Sequence, residues 1–570
     1  MCGFIGALGS DISDADIDNG LRVISHRGPD GVQATRMRQL YLASCRLAIR
    51  PPYEESPLQF SKCNEVIALN GEIYNVSEFT PSQYAPAANI TDTALLAQAL
   101  SNRGTAILAT LQGLFAFCFS DGQRVLLARD RFGIKPLYYA PFRNGLVFAS
   151  EMKALLSLPG FSRELDEDVI SSIAVVGHNL FPGKTPFRRV RSLRPGHFIE
   201  CSAGEEPRET SFAVVPQVPM PGAGLKIEGT AAAERTEELL AESVSRTVLH
   251  DPHSKALFFS GGLDSSLLLD LARRHGPVTC FTLSDRSDAD DLMEARRVAK
   301  ALGICLEECS VGEEDLAREI VSYAWHFEQP IAGGAFDLLG GVAFHALARS
   351  IAKNHKVALC GEGADELFLG YHRLHMRPEI FVESVRNRIG AAPPMVRQSL
   401  ESRHFWNDGP LASQAVRNLA VHEGLSDYHL ASVDRSGMAF GLEVRPPYLD
   451  NDLAAWATSL DESVLIDRDN GWTKLPLRSI ARKRFSQPGT DRIAVRRKWA
   501  MPSAVQLCSA RLIERLSAMS AFRAPHERSN LEELLLDLFT YLHVEPGCTS
   551  PPDFSVIDFV NDLRRPVRLI

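Results

Sequence analysis

Near the middle of the chain stands Lys255-Ala256-Leu257-Phe258-Phe259-Ser260-Gly261-Gly262-Leu263-Asp264-Ser265-Ser266. Its apolar first half predicts a buried strand, and the leucine-rich continuation to residue 271 predicts a helix. Glycines let backbone N–H groups turn toward a ligand, and a helix N-terminus adds partial positive charge. The turn therefore has the properties of an anion cradle. It is not a Walker A loop, because no Gly-Lys-Ser/Thr follows the glycines.

Strands and helices alternate on the C-terminal side of this turn. Residues 277–283 and 356–360 predict two further strands, and residues 290–302 predict a helix between them. This alternation predicts a doubly wound parallel sheet with ligands at the carboxyl ends of its strands. The third strand runs into Gly361-Glu362-Gly363-Ala364-Asp365-Glu366. Three acids in five residues are costly to hold together unless a cation or a basic group joins them.

The N-terminal part has a different character, with short strands and many turns. Phe115–Ser120 and Arg124–Ala128 flank Asp121-Gly122, which predicts a β-hairpin, and a helix over residues 91–99 would begin at a Thr or Asp cap. The expected fold is α+β with much antiparallel sheet. The chain begins Met1-Cys2-Gly3, and removal of the methionine would leave a thiol and an α-amine on one residue. Such an amine, with a pKa of roughly 7.7 to 8.0, can act as the base that generates the thiolate.

Several polar side chains of this part suit a small zwitterion. Arg46 could fork onto a carboxylate, and Glu72 and Asp92 could accept hydrogen bonds from an ammonium group. The side chain of Asn70 and the backbone N–H of Gly71 are the kinds of donor that form an oxyanion hole. Each of these segments, taken alone, would also make an ordinary turn.

The length and net charge of the chain restrict the number of domains and the kinds of binding partner that we expect. A chain of 570 residues predicts two or three domains, and we place the boundaries at 1–200, a linker over 201–235, 236–500 and a helical extension over 501–570. The net charge of -9 argues against a nucleic-acid or anionic-membrane binder. The eleven cysteines form no CxxC pair, and no signal peptide or membrane span is evident, so we expect a cytoplasmic protein with reduced thiols.

The motifs of the two parts together resemble a known family. Cys2–Gly6, His26–Asp30, Leu69–Asn75 and Arg129–Tyr139 resemble, in that order, the class II glutamine amidotransferase domain. The Ser-Gly-Gly-x-Asp-Ser string at 260–265 resembles the pyrophosphate loop of ATP pyrophosphatases. Residues 361–371 and 434–450 resemble asparagine synthetases. Over roughly residues 1–500 the chain thus resembles the glutamine-dependent asparagine synthetases.

This resemblance implies a fold and a reaction. The fold would be an αββα N-terminal-nucleophile glutaminase domain, followed by an α/β domain of the ATP pyrophosphatase type with helical additions. The first domain would free ammonia from glutamine, and the second would adenylate a carboxylate, aspartate first of all, with ATP and Mg²⁺. The expected partners are these small molecules, without nucleic acid or membrane, and the family is often dimeric.

The resemblance also implies roles for individual residues. Cys2 would be the nucleophile, Asn70 and Gly71 would form the oxyanion hole, and Glu362 and Lys498 would be further catalytic groups. Glutamine would be held by Arg46, Asn70, Glu72 and Asp92, and the metal by Asp264 and Asp365. ATP would be bound by Phe258, Ser260, Gly261, Gly262, Asp264, Ser265, Ser266, Leu283, Gly361, Asp365, Lys474 and Lys498.

Three departures and three alternatives accompany this prediction. The loop at 51–57 is short and has Ser56 where the family commonly has Gln, Cys360 stands where Ser is usual, and Leu369 stands where Gly is usual. The same chemistry on a different carboxylate is one alternative, and a β-lactam-forming relative is another, disfavoured by the intact Cys2 and by Glu362. A catalytically silent homologue is the third, disfavoured by Cys2, Asp264 and Asp365.

Overall fold

The structure is a computed structural model, and it describes most of the chain. The described residues are 2–9, 11–50, 58–60, 65–79, 90–177, 179–248, 255–331, 334–392, 394, 397–398, 411–496, 504–518, 530–545 and 548–562. The short loop at 51–57 and Lys498 lie outside them, and of Cys2 only the backbone is described.

The N-terminal domain contains two antiparallel six-stranded sheets. The first has the order β10-β8-β9-β1-β3-β2 and the second the order β12-β11-β7-β6-β5-β4. The strands are β1 (Cys2–Leu8), β2 (Gly31–Met37), β3 (Leu40–Arg46), β4 (Leu58–Phe60), β5 (Val66–Ile73), β6 (Gly113–Ser120), β7 (Arg124–Arg129), β8 (Tyr138–Phe142), β9 (Gly145–Ala149), β10 (Arg191–Ser192), β11 (His197–Ser202) and β12 (Glu209–Ser211).

Helices cover the outer faces of the two sheets, which gives the predicted αββα arrangement. Phe4 and Leu42 of the first sheet pack against Ala68 and Cys118 of the second in the layer between the sheets. The helices of this domain are α1 (Asp14–Val23), α2 (Asp92–Arg103), α3 (Met152–Leu156) and α4 (Glu167–Val176). The predicted hairpin is formed by β6 and β7, and α2 begins at Thr91, whose side chain accepts a hydrogen bond from the N–H of Ala94.

The second domain is built on a parallel five-stranded sheet of order β15-β14-β13-β16-β17. Its strands are β13 (Lys255–Phe258), β14 (Val278–Ser284), β15 (Cys305–Ser310), β16 (Val357–Leu359) and β17 (Glu443–Arg445). The side chains of β13 alternate between two cores: Ala256 and Phe258 belong to one, and Leu257 to the other. Both faces are therefore buried, as expected of a doubly wound sheet. The prediction of the fold class is confirmed.

Helices cover both faces of this sheet. They are α5 (Gly229–Val248), α6 (Leu263–Ala272), α7 (Asp290–Leu302), α8 (Glu313–Phe327), α9 (Gly334–Ala352), α10 (Ala364–Leu367), α11 (His372–Met376), α12 (Pro378–Ala391), α13 (Leu411–Asn418), α14 (Ala431–Met438), α15 (Asn451–Ser459), α16 (Glu462–Leu465), α17 (Leu475–Arg484), α18 (Gln506–Ala518), α19 (Asn530–Phe539) and α20 (Val556–Asp562). A wide helical segment, Leu419–Leu430, joins α13 to α14. None of the described helices has the length and apolar character needed to cross a membrane.

The two domains and the C-terminal segment share buried surfaces. Leu47 and Ile49 of the first domain pack against Val357 and Met438 of the second. In the extension, Leu535 and Leu538 of α19 join the core beside α8, whereas Phe539 contacts Phe187 of the first domain, with ring centroids 5.9 Å apart. The extension therefore contacts both domains. Within the predicted linker, β12 pairs with β11 and extends the second sheet of the first domain.

Candidate active sites of the two domains

In the first domain, strand pairing places Cys2 beside Arg46. The two residues are opposite each other in the antiparallel pair of β1 and β3, and the side chain of Arg46 is half-buried. A Cβ atom on Gly3 would lie 3.2 Å from the side chain of Arg27. The guanidinium of Arg27 lies 3.5 Å from Oδ1 of Asn70 on β5, in the other sheet. Arg27 therefore connects the strand that carries Cys2 with the predicted oxyanion hole.

The backbone at Gly71 requires glycine. Its φ is +132°, and a Cβ atom there would collide with the carbonyl oxygen of Leu114 on the adjacent strand β6. Only glycine tolerates both the conformation and the close approach. The next residue, Glu72, is consequently held at the end of β5 with its side chain buried.

Glu72 is already paired with two arginines. Its carboxylate contacts the guanidinium of Arg50 and, across the domain boundary, that of Arg445 on β17. Burial raises the pKa of Glu72 to about 7, although Arg445 and Arg50 act in the opposite direction. Asp92 lies close by at the start of α2, where its carboxylate accepts hydrogen bonds from the N–H groups of Ile73 and Thr93, at 3.1 and 2.8 Å. The predicted glutamine ligands Arg46, Asn70, Glu72 and Asp92 thus come from three neighbouring segments.

A buried cluster of charges connects this site with the second domain. Arg27, which is fully buried, places Nη1 2.7 Å from Glu151 and 2.8 Å from Asp434 of α14. Lys135 reaches the other oxygen of Asp434 at 3.0 Å. Burial opposes ionisation of Asp434, but the charges of Arg27 and Lys135 outweigh it and hold the pKa of that carboxyl at about 2. The carboxylate therefore stays ionised, and it joins the two domains.

The second site is a cavity of about 210 Å³ at the carboxyl edge of the parallel sheet. Three segments form its wall: the turn after β13, the segment from Gly370 to Arg373 and the segment from Gly471 to Lys474. Cationic side chains line it as well, including Arg478 and Arg496. The lining also contains the carboxylates of Asp264 and Asp291, the latter 2.7 Å from Arg496, so it combines positive groups for an anionic ligand with carboxylates for a metal ion.

Lys474 joins the two predicted metal ligands. Its Nζ atom lies 2.7 Å from Asp264 and 2.8 Å from Asp365, and all three side chains are largely buried. One cation can thus contact both carboxylates, so the pair fits Mg²⁺, which takes carboxylate and phosphate oxygens. Gly370 is packed against this group, because a Cβ atom there would collide with Oδ1 of Asp365 and Cε of Lys474.

The departure at Leu369 leaves the backbone in a glycine-like conformation. Leu369 has φ +57°, in the left-handed region, and its side chain is buried. This conformation costs a non-glycine residue about 1–2 kcal/mol, and the cost is met here by burial of the side chain in the core. Leu369 thus keeps the left-handed conformation directly before Gly370, the residue that packs against Asp365 and Lys474.

The other predicted ATP ligands lie at varying distances from the cavity. Ser260 and Gly262 line it together with Asp264, whereas Phe258 and Leu283 are packed in the core of the sheet. Phe258 stacks on Phe344, with ring centroids 4.1 Å apart. Three other predicted ATP ligands lie in or directly after the same turn: Gly261, with φ +66°, Ser265 and Ser266. Gly361 lies after the adjacent strand β16, where a Cβ atom would be 3.3 Å from that of Asp264.

Acidic residues after β16 form a further group on this side of the sheet. Glu362, Glu366 and His429 each bring one side-chain ligand atom within 4.8 Å of the others. Tyr371 donates a hydrogen bond to Glu366 at 2.5 Å. Glu366 is one of the three acids that the sequence marks as needing a cation or a basic group, but the sequence assigns it no role, and nothing in the sequence points to His429. Arg27, Asp434 and Arg445 lie in motifs that carry the resemblance. Each also pairs with a residue of the other domain, and no local pattern indicates these pairs.

The fold and the two sites define a class: a two-domain chain that joins an αββα glutaminase-type domain to a nucleotide-site α/β domain. Residues 1–212 match the family described as glutamine amidotransferase domain, and residues 235–520 match the family described as asparagine synthase. The second match spans half of the chain, and the chain belongs to the asparagine synthase family.

Curated relatives agree with this assignment at low sequence identity. Asparagine synthetase [glutamine-hydrolyzing] 2 of Bacillus subtilis is 28% identical over 80% of this chain and 65% of its own length. Asparagine synthetase [glutamine-hydrolyzing] 1 of the same organism is 25% identical over 84% of each chain. A fungal protein named Amidase chyE, from Penicillium rubens, is 28% identical over 62% of this chain and 55% of its own. The chain thus spans slightly less than two thirds of the first of these relatives.

Proposed function

We propose that this protein is a glutamine-dependent amidotransferase that activates a carboxylate with ATP and amidates it with glutamine-derived ammonia. Aspartate, which would give asparagine, is the first candidate for the acceptor. The observation that carries the proposal is the convergence of Asp264, Asp365 and Lys474 beside a glycine turn in a cavity, in the same chain as a glutaminase-type domain. Relatives named asparagine synthetase support the proposal.

In the first domain, the Sγ atom of Cys2 would attack the amide carbon of glutamine. The α-amine of the same residue would take the thiol proton. The developing oxyanion would accept hydrogen bonds from Asn70 and Gly71. Ammonia would leave with that proton, and water would then hydrolyse the thioester to glutamate. Ammonia would be protonated in bulk water, so we expect a buried route between the domains.

In the second domain, an oxygen of the acceptor carboxylate would attack the α-phosphorus of ATP, and pyrophosphate would leave. Ammonia would then attack the acyl carbon and AMP would leave. Asp264 and Asp365 would hold Mg²⁺, which supplies positive charge against the pyrophosphate oxygens. Lys474 would balance these carboxylates, and Lys498, outside the described residues, remains our predicted cation for the pyrophosphate. Glu362 remains the predicted group for the acceptor or for a proton transfer.

A second candidate is the same chemistry on a different carboxylate. Two observations favour this candidate: the match to a protein named as an amidase, and the unusual Leu369 directly before the cavity residue Gly370. A screen of carboxylates for ATP-dependent release of AMP, with aspartate first, distinguishes the two. The boundaries at 200, 235 and 500, a homodimer and a cytoplasmic location also remain proposals.

Replacement of Cys2 by alanine tests the division of labour. We expect Cys2→Ala to abolish glutamine-dependent synthesis, because no thiol remains to form the thioester, whereas synthesis from added ammonia continues. Amide product is measured with each nitrogen source, and mass spectrometry checks that Met1 is removed in the wild type. Loss of both activities, or a retained Met1, would contradict the scheme.

Replacement of Asp264 tests the ATP site. Asp264→Ala should reduce synthesis from glutamine and from ammonia alike by more than about 100-fold, because a carboxylate of the metal pair is lost. Glutaminase activity measured without ATP is the control and should persist. Exchange of radiolabelled pyrophosphate into ATP measures the effect directly. An unchanged exchange rate would remove Asp264 from the site, and no exchange in the wild type with any carboxylate would favour a silent homologue.

A further inference from the structure

Glu366 is a buried carboxylate whose negative charge has no compensating cation in the described part of the chain. The residue is 1% exposed, and its Oε2 atom is buried without a hydrogen-bond partner. Its other oxygen accepts one bond, from the hydroxyl of Tyr371 at 2.5 Å. Among the described residues, no lysine or arginine forms an ion pair with it. A buried ionised carboxylate in this condition is costly, and a bound cation would remove the cost.

Lys474, which contacts the neighbouring Asp365, does not neutralise Glu366. Lys474 contacts Asp365, the neighbour of Glu366 in α10, and its second contact is Asp264. It therefore balances the pair assigned to Mg²⁺ and not Glu366. The acidic group after β16 thus divides into two parts, and the part that contains Glu366 needs its own positive charge.

The side chains around Glu366 are those of a metal site. Glu362 contributes a second carboxylate and His429 an imidazole, and the three ligand atoms all lie within 4.8 Å of one another. Around a tetrahedral zinc ion, with ligands at about 2.1 Å, ligand atoms lie roughly 3.4 Å apart. Side-chain rotations would therefore be enough to close the set around one ion. We propose that Glu362, Glu366 and His429 bind a divalent cation of the zinc type, at a site separate from Asp264 and Asp365.

The choice of cation follows from the ligands. Mg²⁺ prefers oxygen ligands throughout, whereas an imidazole with two carboxylates suits Zn²⁺ and similar first-row ions. Tyr371 would orient the ligands from outside, because its hydroxyl bonds to Glu366 and lies 3.4 Å from Nε2 of His429. Burial, together with the carboxylates of Glu366, Asp365 and Glu362, raises the pKa of Tyr371 well above its ordinary value, so its O–H remains a donor.

The position of the ion indicates its use. Tyr371 lies between Gly370 and His372, which both line the cavity, and Glu362 follows the strand end at Gly361. The bound cation places positive charge beside the cavity, where it can hold an oxygen of the acceptor. In that arrangement Glu362 would reach the acceptor through the ion, which agrees with the first of the two roles proposed for it above. Metal binding by these three residues is independent of the identity of the acceptor, whereas the use of the ion at the acceptor rests on the proposed function.

Metal binding by the full-length protein tests this directly. The protein is freed of metal with a chelator, loaded with Zn²⁺, desalted and analysed for bound zinc, and Co²⁺ is used in parallel for its visible absorption. We expect one tightly held equivalent in the wild type. His429→Ala and Glu366→Gln should weaken binding by more than about tenfold, because even loss of an outer partner of a metal ligand costs that much. Tyr371→Phe should weaken it less.

Two variants separate this site from other sources of metal. His275→Ala removes an exposed histidine and should bind zinc as the wild type does. Asp264→Asn removes a carboxylate of the other pair and should also retain the zinc. Glu366→Gln removes the uncompensated charge, so the metal-free variant should melt at or above the wild-type temperature, which separates lost binding from lost folding.

Three results would overturn the inference. One is a wild type that retains no zinc after desalting. Another is binding by His429→Ala and Glu366→Gln equal to that of His275→Ala. The third is a wild type that binds methylammonium instead of zinc and loses this on Glu366→Gln, which would assign the site to an organic cation. All are read without ATP, so a failure here is distinct from a failure to release AMP.

Discussion

The two sites of this protein balance their charges in opposite ways. At the proposed glutaminase site, charged residues pair across the domain boundary: Glu72 with Arg445, and Arg27 with Asp434. At the proposed ATP site, Lys474 contacts Asp264 and Asp365 within one domain, beside an open cavity. The first site thus depends on the second domain for its geometry, whereas the described residues of the second site all come from its own domain.

The two groups of charges also differ in burial, and therefore in their expected contribution to the free energy of unfolding. Asp434, Glu151 and the guanidinium of Arg27 are almost fully removed from water, so each is costly when its partner is lost. Asp264 is more exposed, at 14%, and faces a cavity that water can enter. Disruption of the first set should therefore destabilise the protein, whereas disruption of the second should reduce activity with little loss of stability.

The largest effect is expected for Arg27→Met. The substitution leaves Asp434 and Glu151 buried without this cation, so the free energy of unfolding should fall by about 3–5 kcal/mol. Glutaminase activity should fall as well, because Arg27 lies between Gly3 and Asn70. Urea denaturation followed by circular dichroism measures the stability, and glutamate release measures the activity.

Arg36→Met is the matched control for this prediction. Arg36 pairs with Asp14 at the surface, with both side chains about half exposed, and such pairs contribute little to stability. We expect its unfolding curve to overlay that of the wild type. If Arg27→Met also overlaid the wild type, the interface would not depend on the buried charges, and the contrast between the two sites would be wrong.

The sequence predicted what is local in both regions. Strand β13, its glycine turn and α6 follow from an apolar run, two glycines and a leucine-rich continuation, all within about 20 residues. The hairpin of β6 and β7 follows from Asp121-Gly122 in the same way. The roles of Cys2, Asn70, Asp264 and Asp365 stay predictions that rest on motif and position.

Long-range pairing could not be predicted from the sequence. Arg27 and Asp434 are 407 residues apart, and the local sequence around either residue does not predict that it pairs with the other. The same holds for Glu72 with Arg445, and for His429, which reaches Glu362 only because a long helical segment returns it to the end of β16. Leu369 shows a further limit, since tertiary packing holds a leucine in a conformation that favours glycine.

An intermediate effect is expected for Gly370→Ala. The added methyl group would collide with Asp365 and Lys474, so these two side chains must shift from their present positions. We expect pyrophosphate exchange to fall by about 100-fold, or ~2.7 kcal/mol, with glutaminase activity within about twofold of the wild type. Gly390→Ala, whose methyl group meets no atom within 4 Å, is the control and should leave both activities unchanged. A matching loss of glutaminase activity in Gly370→Ala would show that the ATP site is not self-contained.

The smallest effect concerns the pH dependence of glutamine binding. In the proposed site, Glu72 would pair with the ammonium group of glutamine only when it is ionised, and burial raises its pKa to about 7. Affinity should therefore fall as the pH drops through about 7. In Arg50→Met, one of the two charges that favour the ionised form is lost, so the midpoint should move upward by about one pH unit. Calorimetric titration of Cys2→Ala, which binds without reacting, excludes effects of the thiol and of turnover. The α-amine is present in this parent protein and in its Arg50→Met variant alike, so the difference between their midpoints reports Glu72.

Arg124→Met, at an exposed pair with Glu200, is the control and should keep the midpoint of the parent Cys2→Ala protein. An affinity that did not change between about pH 6 and pH 8 would show that Glu72 does not hold the ammonium, and Asp92 would then be the remaining acceptor. A midpoint that moved in Arg445→Met but not in Arg50→Met would have a different meaning. The ionisation of Glu72 would then be controlled from the second domain, so the ATP-using domain would set the glutamine affinity of the first.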